Sequence, residues 1–261
     1  MPEGILQRLV YTAKQRVSKG YYSKQNEISQ SKRSLQKALL KKLKKDSLAI
    51  VAEVKYASPS SGFFGCRKEP TDIAKMYERA GAAAISVLTD PDNFNGSLEH
   101  LVAIRKCTSI PLLMKDIIVD QSQIDAADAC GADAVLLISS IFNRKLIDAE
   151  LEKFIDVAHR RKLEVVLEVH TLQEYEQAVE SDADIIGINN RNLDTMTVSL
   201  NVSSTILQKK SGRKLVLCES GFGKKTDLLR MKKMGSDAFL IGSVLMKAKN
   251  PEEVLRRFVG G

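Results

Sequence analysis

The sequence predicts a single (β/α)8 barrel, an α/β fold, with an N-terminal helical extension. Eight short stretches rich in Val, Ile and Leu indicate strands that are buried on both faces of a parallel sheet. Helical patterns separate these stretches, and the length of 261 residues suits one barrel of about 250 residues. The predicted strands are Ala49–Lys55, Ile85–Thr89, Pro111–Asp116, Ala134–Ser139, Val165–Glu168, Ile185–Arg191, Leu215–Gly221 and Phe239–Ser243.

The segments between the strands carry apolar residues at three- to four-residue spacing, which is typical of helices that pack on a barrel. Gly81 and Gly131 are helix-stop signals, and Ser97 is a candidate N-cap. The predicted helices are Pro70–Ala80, Gly96–Lys106, Asp120–Cys130, Asn143–Arg161, Thr171–Ser181, Asn201–Lys210, Lys224–Met234 and Pro251–Phe258. No low-complexity linker interrupts residues 47–261, so they are predicted to form one catalytic barrel domain.

Residues 1–46 form the predicted helical extension, packed on the barrel. They hold 12 Lys and Arg against 3 Asp and Glu, and the remaining chain holds 28 against 29, so this segment supplies the net charge of +8. Two amphipathic patterns within it predict two helices. We expect both helices to lie against the mouth of the barrel and help to close it. Leu35, Leu39 and Leu43 would be buried, and the lysines would face water.

Composition narrows the possible partners. A basic arm that binds nucleic acid or a membrane is an alternative interpretation of residues 1–46, and cations that help an anionic substrate to enter are another. The arm has few aromatic residues, and the body adds no positive field, so we expect neither nucleic acid nor a membrane as partner. No apolar run approaches the roughly 20 residues of a membrane span. The expected assembly is a monomer or a weak homodimer.

The four cysteines are scattered along the chain, without the spacing of a metal site or a redox pair. They are expected to be small hydrophobic side chains, buried or partly buried. The N-terminus lacks a charged segment followed by an apolar core, which a signal peptide would need. These observations predict a protein of the reducing cytoplasm, with no metal site.

Charged and polar side chains lie at the ends of the predicted strands. Catalytic residues of (β/α)8 barrels gather at the C-terminal ends of the strands, so these side chains would converge on one mouth. Glu53 and Lys55 are two residues apart and share a face, which must be the interior of the barrel. Pairs of lysines and carboxylates keep the lysines charged, which favours acid–base chemistry over a Schiff base. The other members are Lys115, Glu168, Asn189, Arg191 and Glu219.

Three loops add further chemistry. Ser58–Gly65 is rich in Ser, Pro and Gly, and it is predicted to form a lid in which Phe63 and Phe64 exclude water. The segments Ser220–Gly223 and Gly242–Ser243 follow the last two strands, where barrel enzymes often hold phosphate. Glycine lets the backbone approach a ligand, and the free N–H groups of a following short helix bind an anion. These segments therefore predict a phosphate site.

Several strings at these positions resemble the indole-3-glycerol phosphate synthase family in order and spacing, from about residue 30 to the end. They are Ile50–Lys55, Ser58–Ser60, Leu88–Ser97, Lys115–Asp116, Leu167–His170, Ile186–Leu193 and Glu219–Gly221. The resemblance implies a step of tryptophan biosynthesis that requires no cofactor. Its substrate would be a phosphorylated small molecule, 1-(2-carboxyphenylamino)-1-deoxyribulose 5-phosphate. The products would be indole-3-glycerol phosphate, carbon dioxide and water.

The resemblance also implies roles for single residues. Lys115 would be the general acid that protonates the substrate ketone. Glu168 and Glu53 would handle the later proton removal and stabilise positive charge on the nitrogen, and Lys55 would assist loss of the hydroxyl or pair with substrate anions. The remaining roles are orientation of the substrate by Asn189 and Ser220, substrate binding by Ser58, Phe94, Arg191 and Glu219, and phosphate binding by Gly221, Gly242 and Ser243.

One segment departs from the family, which usually reads Arg-Lys-Asp-Phe where this chain reads Met114-Lys115-Asp116-Ile117. The lysine and the aspartate are kept, and the aromatic residue is replaced by Ile117. The change to Ile117 removes an aromatic surface worth about 0.5–1.5 kcal/mol, so affinity for the ring of the substrate would be lower, or Phe63 or Phe94 would supply the contact. His170 is expected not to be catalytic. Two other functions stay open: a sugar-phosphate isomerase or Schiff-base aldolase on the same fold, and a barrel that binds nucleic acid through residues 1–46. Neither explains the polar residues at the mouth.

Overall fold

The computed structural model describes residues 4–23, 28, 32–45, 47–66 and 68–260. Eight parallel strands form a closed barrel in which each strand pairs with its neighbours in the sequence and the last pairs with the first. This confirms the (β/α)8 prediction. The strands are β1 (Ala49–Val54), β2 (Ala57–Ser58), β3 (Gly62–Phe63), β4 (Ala84–Leu88), β5 (Leu112–Lys115), β6 (Ala134–Ile138), β7 (Glu164–Val169), β8 (Ile185–Asn189), β9 (Leu215–Glu219) and β10 (Ala238–Ile241). Strands β2 and β3 form a separate two-stranded hairpin.

Helices surround the barrel, and short polar side chains begin several of them. Ser97 accepts a hydrogen bond from the Glu99 backbone N–H at 3.0 Å, as predicted for an N-cap. Thr171 likewise caps the helix that follows β7. The helices are α1 (Ile5–Ser18), α2 (Leu35–Leu43), α3 (Pro70–Arg79), α4 (Pro91–Phe94), α5 (Leu98–Cys107), α6 (Gln121–Ala129), α7 (Ser139–Asn143), α8 (Leu151–Arg160), α9 (Leu172–Glu180), α10 (Asn201–Leu207), α11 (Lys225–Lys233), α12 (Ser243–Met246) and α13 (Pro251–Val259). None of these helices is long and apolar enough to cross a membrane.

One predicted helix is wrong. The segment 143–161 was expected to be continuous, but α7 ends at Asn143 and α8 begins at Leu151. Lys145 has a φ of 51°, and a residue in the left-handed region cannot continue a right-handed helix. Because the segment between them contains neither Gly nor Pro, the sequence carries no signal of this break.

The two helices of the extension lie at opposite ends of the barrel. Helix α1 lies across the C-terminal ends of the strands, where Arg16 pairs with Asp90 and Asp116. Helix α2 lies at the other end, because the Gln36 backbone N–H donates to Glu164, the first residue of β7, at 2.9 Å. The expectation that both helices cover the mouth is therefore wrong for α2.

Burial in α2 follows the amphipathic pattern in most positions. Leu35 and Leu39 are fully buried, whereas Leu43 is only half-buried. The exposed side chains include four lysines, as expected: Lys37, Lys41, Lys44 and Lys45. Helix α2 thus closes the N-terminal end of the barrel with its apolar face. An amphipathic pattern predicts that a helix packs on the barrel, but it does not predict which end the helix covers.

The apolar core fills the interior of the barrel and the layer between strands and helices. All four cysteines are free; Cys130 and Cys218 are buried, and Cys66 and Cys107 are half-buried, as expected for small hydrophobic side chains. Three carboxylates are buried at or near the C-terminal ends of the strands: Glu53, Glu168 and Glu219. The barrel therefore brings these acidic groups together at one end.

Candidate active site

A cavity of about 360 Å³ opens at the C-terminal ends of the barrel strands. It brings together residues from nearly every part of the sequence, including Leu9 of α1 and Val244 of α12. All the predicted site residues except Glu219 line it: Glu53, Lys55, Ser58, Phe94, Lys115, Glu168, Asn189, Arg191, Ser220, Gly221, Gly242 and Ser243. Twelve of the thirteen predicted site residues therefore lie around one cavity, and their individual roles stay predictions.

Lys115, at the end of β5, is the centre of the site. Its ammonium contacts the carboxylate of Glu219 and lies 3.5 Å from Oε2 of Glu168. Burial by itself lowers the pKa of Lys115, but the carboxylates of Glu219, Glu168 and Glu53 outweigh it, so the pKa lies above the ordinary value for lysine. Lys115 is therefore protonated at neutral pH and can act as an acid.

Glu219 lies at the end of β9, is fully buried and does not line the cavity. It contacts Lys115, and its contact with substrate stays a prediction. Burial raises the pKa of Glu219, and the nearby Glu168 acts in the same direction, although Lys115 opposes them. Gly187 of β8 makes room for this side chain, because a Cβ there would lie 2.5 Å from the Glu219 Oε1.

A second lysine–carboxylate pair joins Glu53 and Lys55 at the end of β1. Burial raises the pKa of Glu53, but Lys55 and Lys115 outweigh it and hold this pKa below the ordinary value. Glu53 is therefore ionised. A Cβ at Gly242 would lie 2.3 Å from the Glu53 Oε1, so Gly242 leaves space for this carboxylate.

Glu168 is oriented by its neighbour on β8. The Asn189 Nδ2 donates to the Glu168 Oε1 at 2.9 Å, and the Asn189 Oδ1 accepts from the Arg191 backbone N–H at 2.9 Å. The other carboxylate oxygen of Glu168, Oε2, faces the ammonium of Lys115. His170 lies outside this cavity, and its Nδ1 is 2.8 Å from the Asn189 carbonyl oxygen.

The turn after β9 is held in an unusual backbone conformation. Ser220 has a φ of 66° and Gly221 a φ of 86°, and such strained non-glycine residues cluster at functional sites. The Asn190 Nδ2 donates to the carbonyl oxygens of Glu219 and Ser220, at 3.0 and 3.1 Å. Asn190 is fully buried. Sequence reasoning did not assign this positioning role, although Asn190 stands in the string that carried the resemblance.

The loop after β1 forms the hairpin β2–β3 and closes one side of the cavity with hydroxyl groups. The Arg191 Nη1 donates to the Ser60 Oγ at 3.1 Å and to the Met196 carbonyl at 2.9 Å, which ties this loop to the loop after β8. Phe63 is 56% exposed, and the Lys247 Nζ lies 4.9 Å from the ring centre of Phe64. Neither ring lines the cavity, so the predicted water-excluding role of these two phenylalanines is not found.

The remaining wall is apolar. Ile117, which stands where the family usually has Phe, lines the cavity and is 6% exposed. Sequence reasoning missed the other apolar members, since an apolar residue at a strand end or in a loop reads as ordinary core. They include Leu9, Leu88, Leu136, Ile138, Leu193, Met196, Val198 and Leu240. An aromatic ring would find its packing surface here.

The described residues offer no group of three or more His, Cys, Asp or Glu side chains that could hold a metal ion. The chemical resources of the cavity are two ammonium groups, three carboxylates, a guanidinium, an amide, hydroxyl groups and the backbone of two glycine-containing turns. This set can donate and accept protons and bind an anion.

Comparison with solved structures shows a likeness of fold. The N-acetylmannosamine-6-phosphate 2-epimerase from Clostridium perfringens aligns with a TM-score of 0.61 and 12% identity, over 89% of this chain and 98% of that chain. The thiamine phosphate pyrophosphorylase from Pyrococcus furiosus aligns with a TM-score of 0.59 and 19% identity, over 83% and 95%. At such identities the likeness extends to the fold only.

Sequence comparison is more specific. A protein named indole-3-glycerol phosphate synthase from Aquifex aeolicus is 45% identical to this chain over 213 residues, which cover 81% of each chain. The protein of that name from Campylobacter jejuni is 42% identical over 217 residues, covering 83% of this chain and 82% of the relative. That from Exiguobacterium sibiricum is 37% identical over 98% of this chain and 97% of its own. The family model "Indole-3-glycerol phosphate synthase" matches residues 6–258. This chain therefore belongs to the indole-3-glycerol phosphate synthase family.

Proposed function

We propose that this chain converts 1-(2-carboxyphenylamino)-1-deoxyribulose 5-phosphate to indole-3-glycerol phosphate, carbon dioxide and water, as a carboxy-lyase of tryptophan biosynthesis. Family membership supports the activity. The observation that carries the mechanism is the position of Lys115, whose protonated ammonium lines the cavity and contacts the buried carboxylates of Glu168 and Glu219. Ring closure onto a ketone needs an acid at the ketone oxygen and a base nearby.

In the first half of the reaction, the aryl carbon that bears the carboxylate attacks the ketone carbon. Lys115 donates a proton to the ketone oxygen as negative charge develops on it, which converts the ketone to a hydroxyl. The bond between the ring and the carboxylate then breaks, and its electron pair restores the aromatic ring. Carbon dioxide leaves, and the new five-membered ring carries the hydroxyl.

In the second half, this hydroxyl leaves as water with a proton that Lys55 supplies. Electrons from the ring nitrogen assist its departure, and Glu53 stabilises the positive charge that develops. Glu168 then accepts a proton from the neighbouring CH2 group, which completes the indole. Two protons are donated and one is accepted, and the difference is the proton consumed when a carboxylate leaves as neutral carbon dioxide.

The ends of the substrate define the other contacts. The phosphate is assigned to Gly221, Gly242 and Ser243, where Ser243 opens α12 and its backbone N–H belongs to the unpaired first turn of a helix. The aromatic ring is assigned to the apolar wall that contains Phe94. Arg191, Ser58, Asn189 and Ser220 would orient the polar groups between these two ends.

A Schiff-base aldolase on the same fold is the rival function. It would require a neutral amine, because only the free base of lysine is nucleophilic. The carboxylates around Lys115 raise its pKa and oppose that state. Borohydride treatment in the presence of a ketose phosphate should therefore leave the mass of the protein unchanged, and a trapped adduct on Lys55 or Lys115 would favour the aldolase.

The direct test is formation of the indole product. The chain contains no tryptophan, so indole fluorescence from the product rises above a low protein background. Purified protein incubated with the carboxyphenylamino substrate should form indole-3-glycerol phosphate, measured by its fluorescence, and carbon dioxide in equal molar amounts. Substrate consumption without both products would refute the proposed reaction.

The cytoplasm is the location that we propose, supported by four free cysteines, which suit a reducing compartment. The proposed partner is the phosphorylated substrate alone, with no nucleic acid, and the proposed assembly is a monomer or a weak homodimer. Salt-dependent RNA binding that disappears with residues 1–46 would contradict this assignment.

A further inference from the structure

A buried cation joins α1 to the mouth of the barrel. Arg16 is 5% exposed although it belongs to the basic extension. Its Nη2 lies 3.2 Å from the Asp116 Oδ1, and its Nη1 lies 3.1 Å from the Asp90 Oδ1 and 2.8 Å from the Asp92 Oδ2. One guanidinium therefore bridges the C-terminal ends of β4 and β5.

A tyrosine completes this cluster. The Arg16 Nε donates to the hydroxyl of Tyr22 at 3.1 Å, and that hydroxyl donates to the Asp116 Oδ2 at 2.9 Å. Asp116 also accepts from the Thr89 hydroxyl at 2.6 Å and from the Ile117 backbone N–H at 2.7 Å. Its carboxylate is thus held by four donors, three of them from other parts of the chain.

Each element that meets at Arg16 also contributes a residue to the wall of the cavity. Asp116 directly follows Lys115. Asp90 caps α4 by accepting from the backbone N–H groups of Asp92 and Asn93, at 2.9 and 3.1 Å, and α4 ends at Phe94, which lines the cavity. Two turns before Arg16 on the same helix, Leu9 lines the cavity as well. The cluster is therefore connected to Lys115, to Phe94 and to α1.

Stability alone is a weak reason for this arrangement. Desolvation of buried charges offsets much of their attraction, and apolar replacements of such pairs are often as stable. A planar guanidinium does have a geometric advantage, because its fixed fork contacts several carboxylates at once. We propose that Arg16 is a positioning residue, which fastens β5 with Lys115, α4 with Phe94 and α1 with Leu9 around one cavity. The proposal rests on the proposed function for its kinetic consequences.

The test compares Arg16→Met with Arg105→Met. Arg105 is 1% exposed and pairs with Asp133 at 2.8 Å, but it lies at the N-terminal end of the barrel, where Asp133 precedes β6. The two variants remove the same kind of group from opposite ends. With both assayed well below their melting temperatures, we expect Arg16→Met to lower kcat at least tenfold and to raise KM. The control should lose stability while keeping kcat and KM within twofold of wild type.

Hydrogen exchange gives a readout that does not depend on turnover. Arg16→Met should speed exchange in segments 90–95 and 115–119, and Arg105→Met should not. Unchanged exchange there, or kinetics of Arg16→Met that match the control, would overturn the proposal. If the wild-type chain forms no product, the proposed function fails, and the exchange experiment still decides whether Arg16 anchors these segments.

A milder variant covers the case in which Arg16→Met does not fold. Tyr22→Phe keeps the ring and removes only the hydroxyl that links Arg16 to Asp116. It should lower kcat severalfold with faster exchange in segment 115–119. Wild-type kinetics and exchange in Tyr22→Phe would count against the positioning role.

Discussion

The carboxylate of Glu219 contacts the ammonium of Lys115, although Glu219 itself does not line the cavity. Glu168, which does line it, lies 3.5 Å from the same ammonium. Lys115 is therefore held by one carboxylate outside the cavity and one inside it. Glu219 keeps the lysine charged, and Glu168, which lines the cavity, is available for proton transfer.

Replacing Glu219 should change the pH dependence of turnover. Glu219 is the strongest of the carboxylates that raise the pKa of Lys115 against burial. In Glu219→Gln this pKa should fall, so the acid form is lost at lower pH and the alkaline limb of kcat/KM against pH should move to lower pH. An unmoved alkaline limb in a folded Glu219→Gln protein would contradict the acid role of Lys115.

Lys115→Met should remove turnover and make stability depend on pH. Loss of a positioned proton donor typically costs about 10²–10⁴-fold in kcat. Without the ammonium, nothing offsets the burial that raises the pKa of Glu219, so its folded-state pKa should lie further above that of the unfolded chain. The stability that Glu219 contributes is then present at low pH and lost as pH rises through its folded-state pKa. Thermal melts of variant and wild type from pH 5 to 8 should diverge toward pH 8.

Glu168→Gln should be nearly inactive, because an amide keeps the shape of the side chain but cannot accept the proton. We expect kcat to fall by about 10²–10⁴-fold. Glu164→Gln is the matched control, since Glu164 begins the same strand and binds α2 through the Gln36 backbone N–H at 2.9 Å. Its kcat should stay within twofold of wild type, and equal losses in both variants would falsify the assignment of Glu168 as the base.

Substitutions of Gly242 and Ser243, which follow β10, should change the kinetics in different ways. Ser243→Ala removes one hydrogen bond to a charged group, so substrate binding should weaken by about 1.5–3 kcal/mol with little change in kcat. Gly242→Ala adds a Cβ that would lie 2.3 Å from the Glu53 Oε1, so kcat should fall as well. Steady-state kinetics separate the two results, and inorganic phosphate should compete with substrate in wild type. Non-competitive inhibition by phosphate would place the anion elsewhere.

A pair of leucines distinguishes the two helices of the extension. Leu39 of α2 is fully buried at the bottom of the barrel, so Leu39→Ala should lower the free energy of unfolding by about 2–5 kcal/mol and leave KM unchanged. Leu9 of α1 is 2% exposed and lines the cavity, so Leu9→Ala should also raise KM. Chemical denaturation and kinetics on both variants check this, and a raised KM in Leu39→Ala would argue against separate roles.

The sequence by itself determined the barrel fold, and it predicted most of the polar residues that line the cavity at its mouth. Runs such as Ile185–Asn189 are apolar throughout because a parallel strand is covered on both faces, and this pattern is local. Polar residues at the strand ends follow from the topology, which brings those ends together. The spacing of Glu53 and Lys55 was enough to assign them to the same interior face. These inferences need only periodicity and chain order.

The tertiary structure decided what depends on contacts between distant segments. The amphipathic patterns of α1 and α2 are alike, yet one helix covers the mouth and the other the bottom, because their ends bind different strands. Burial separated Glu219, which holds Lys115, from Glu168, which faces the cavity. The cluster of Arg16, Tyr22 and Asp116 joins residues about a hundred positions apart. No local pattern encodes such a meeting, since it exists only when the closed barrel brings the segments together.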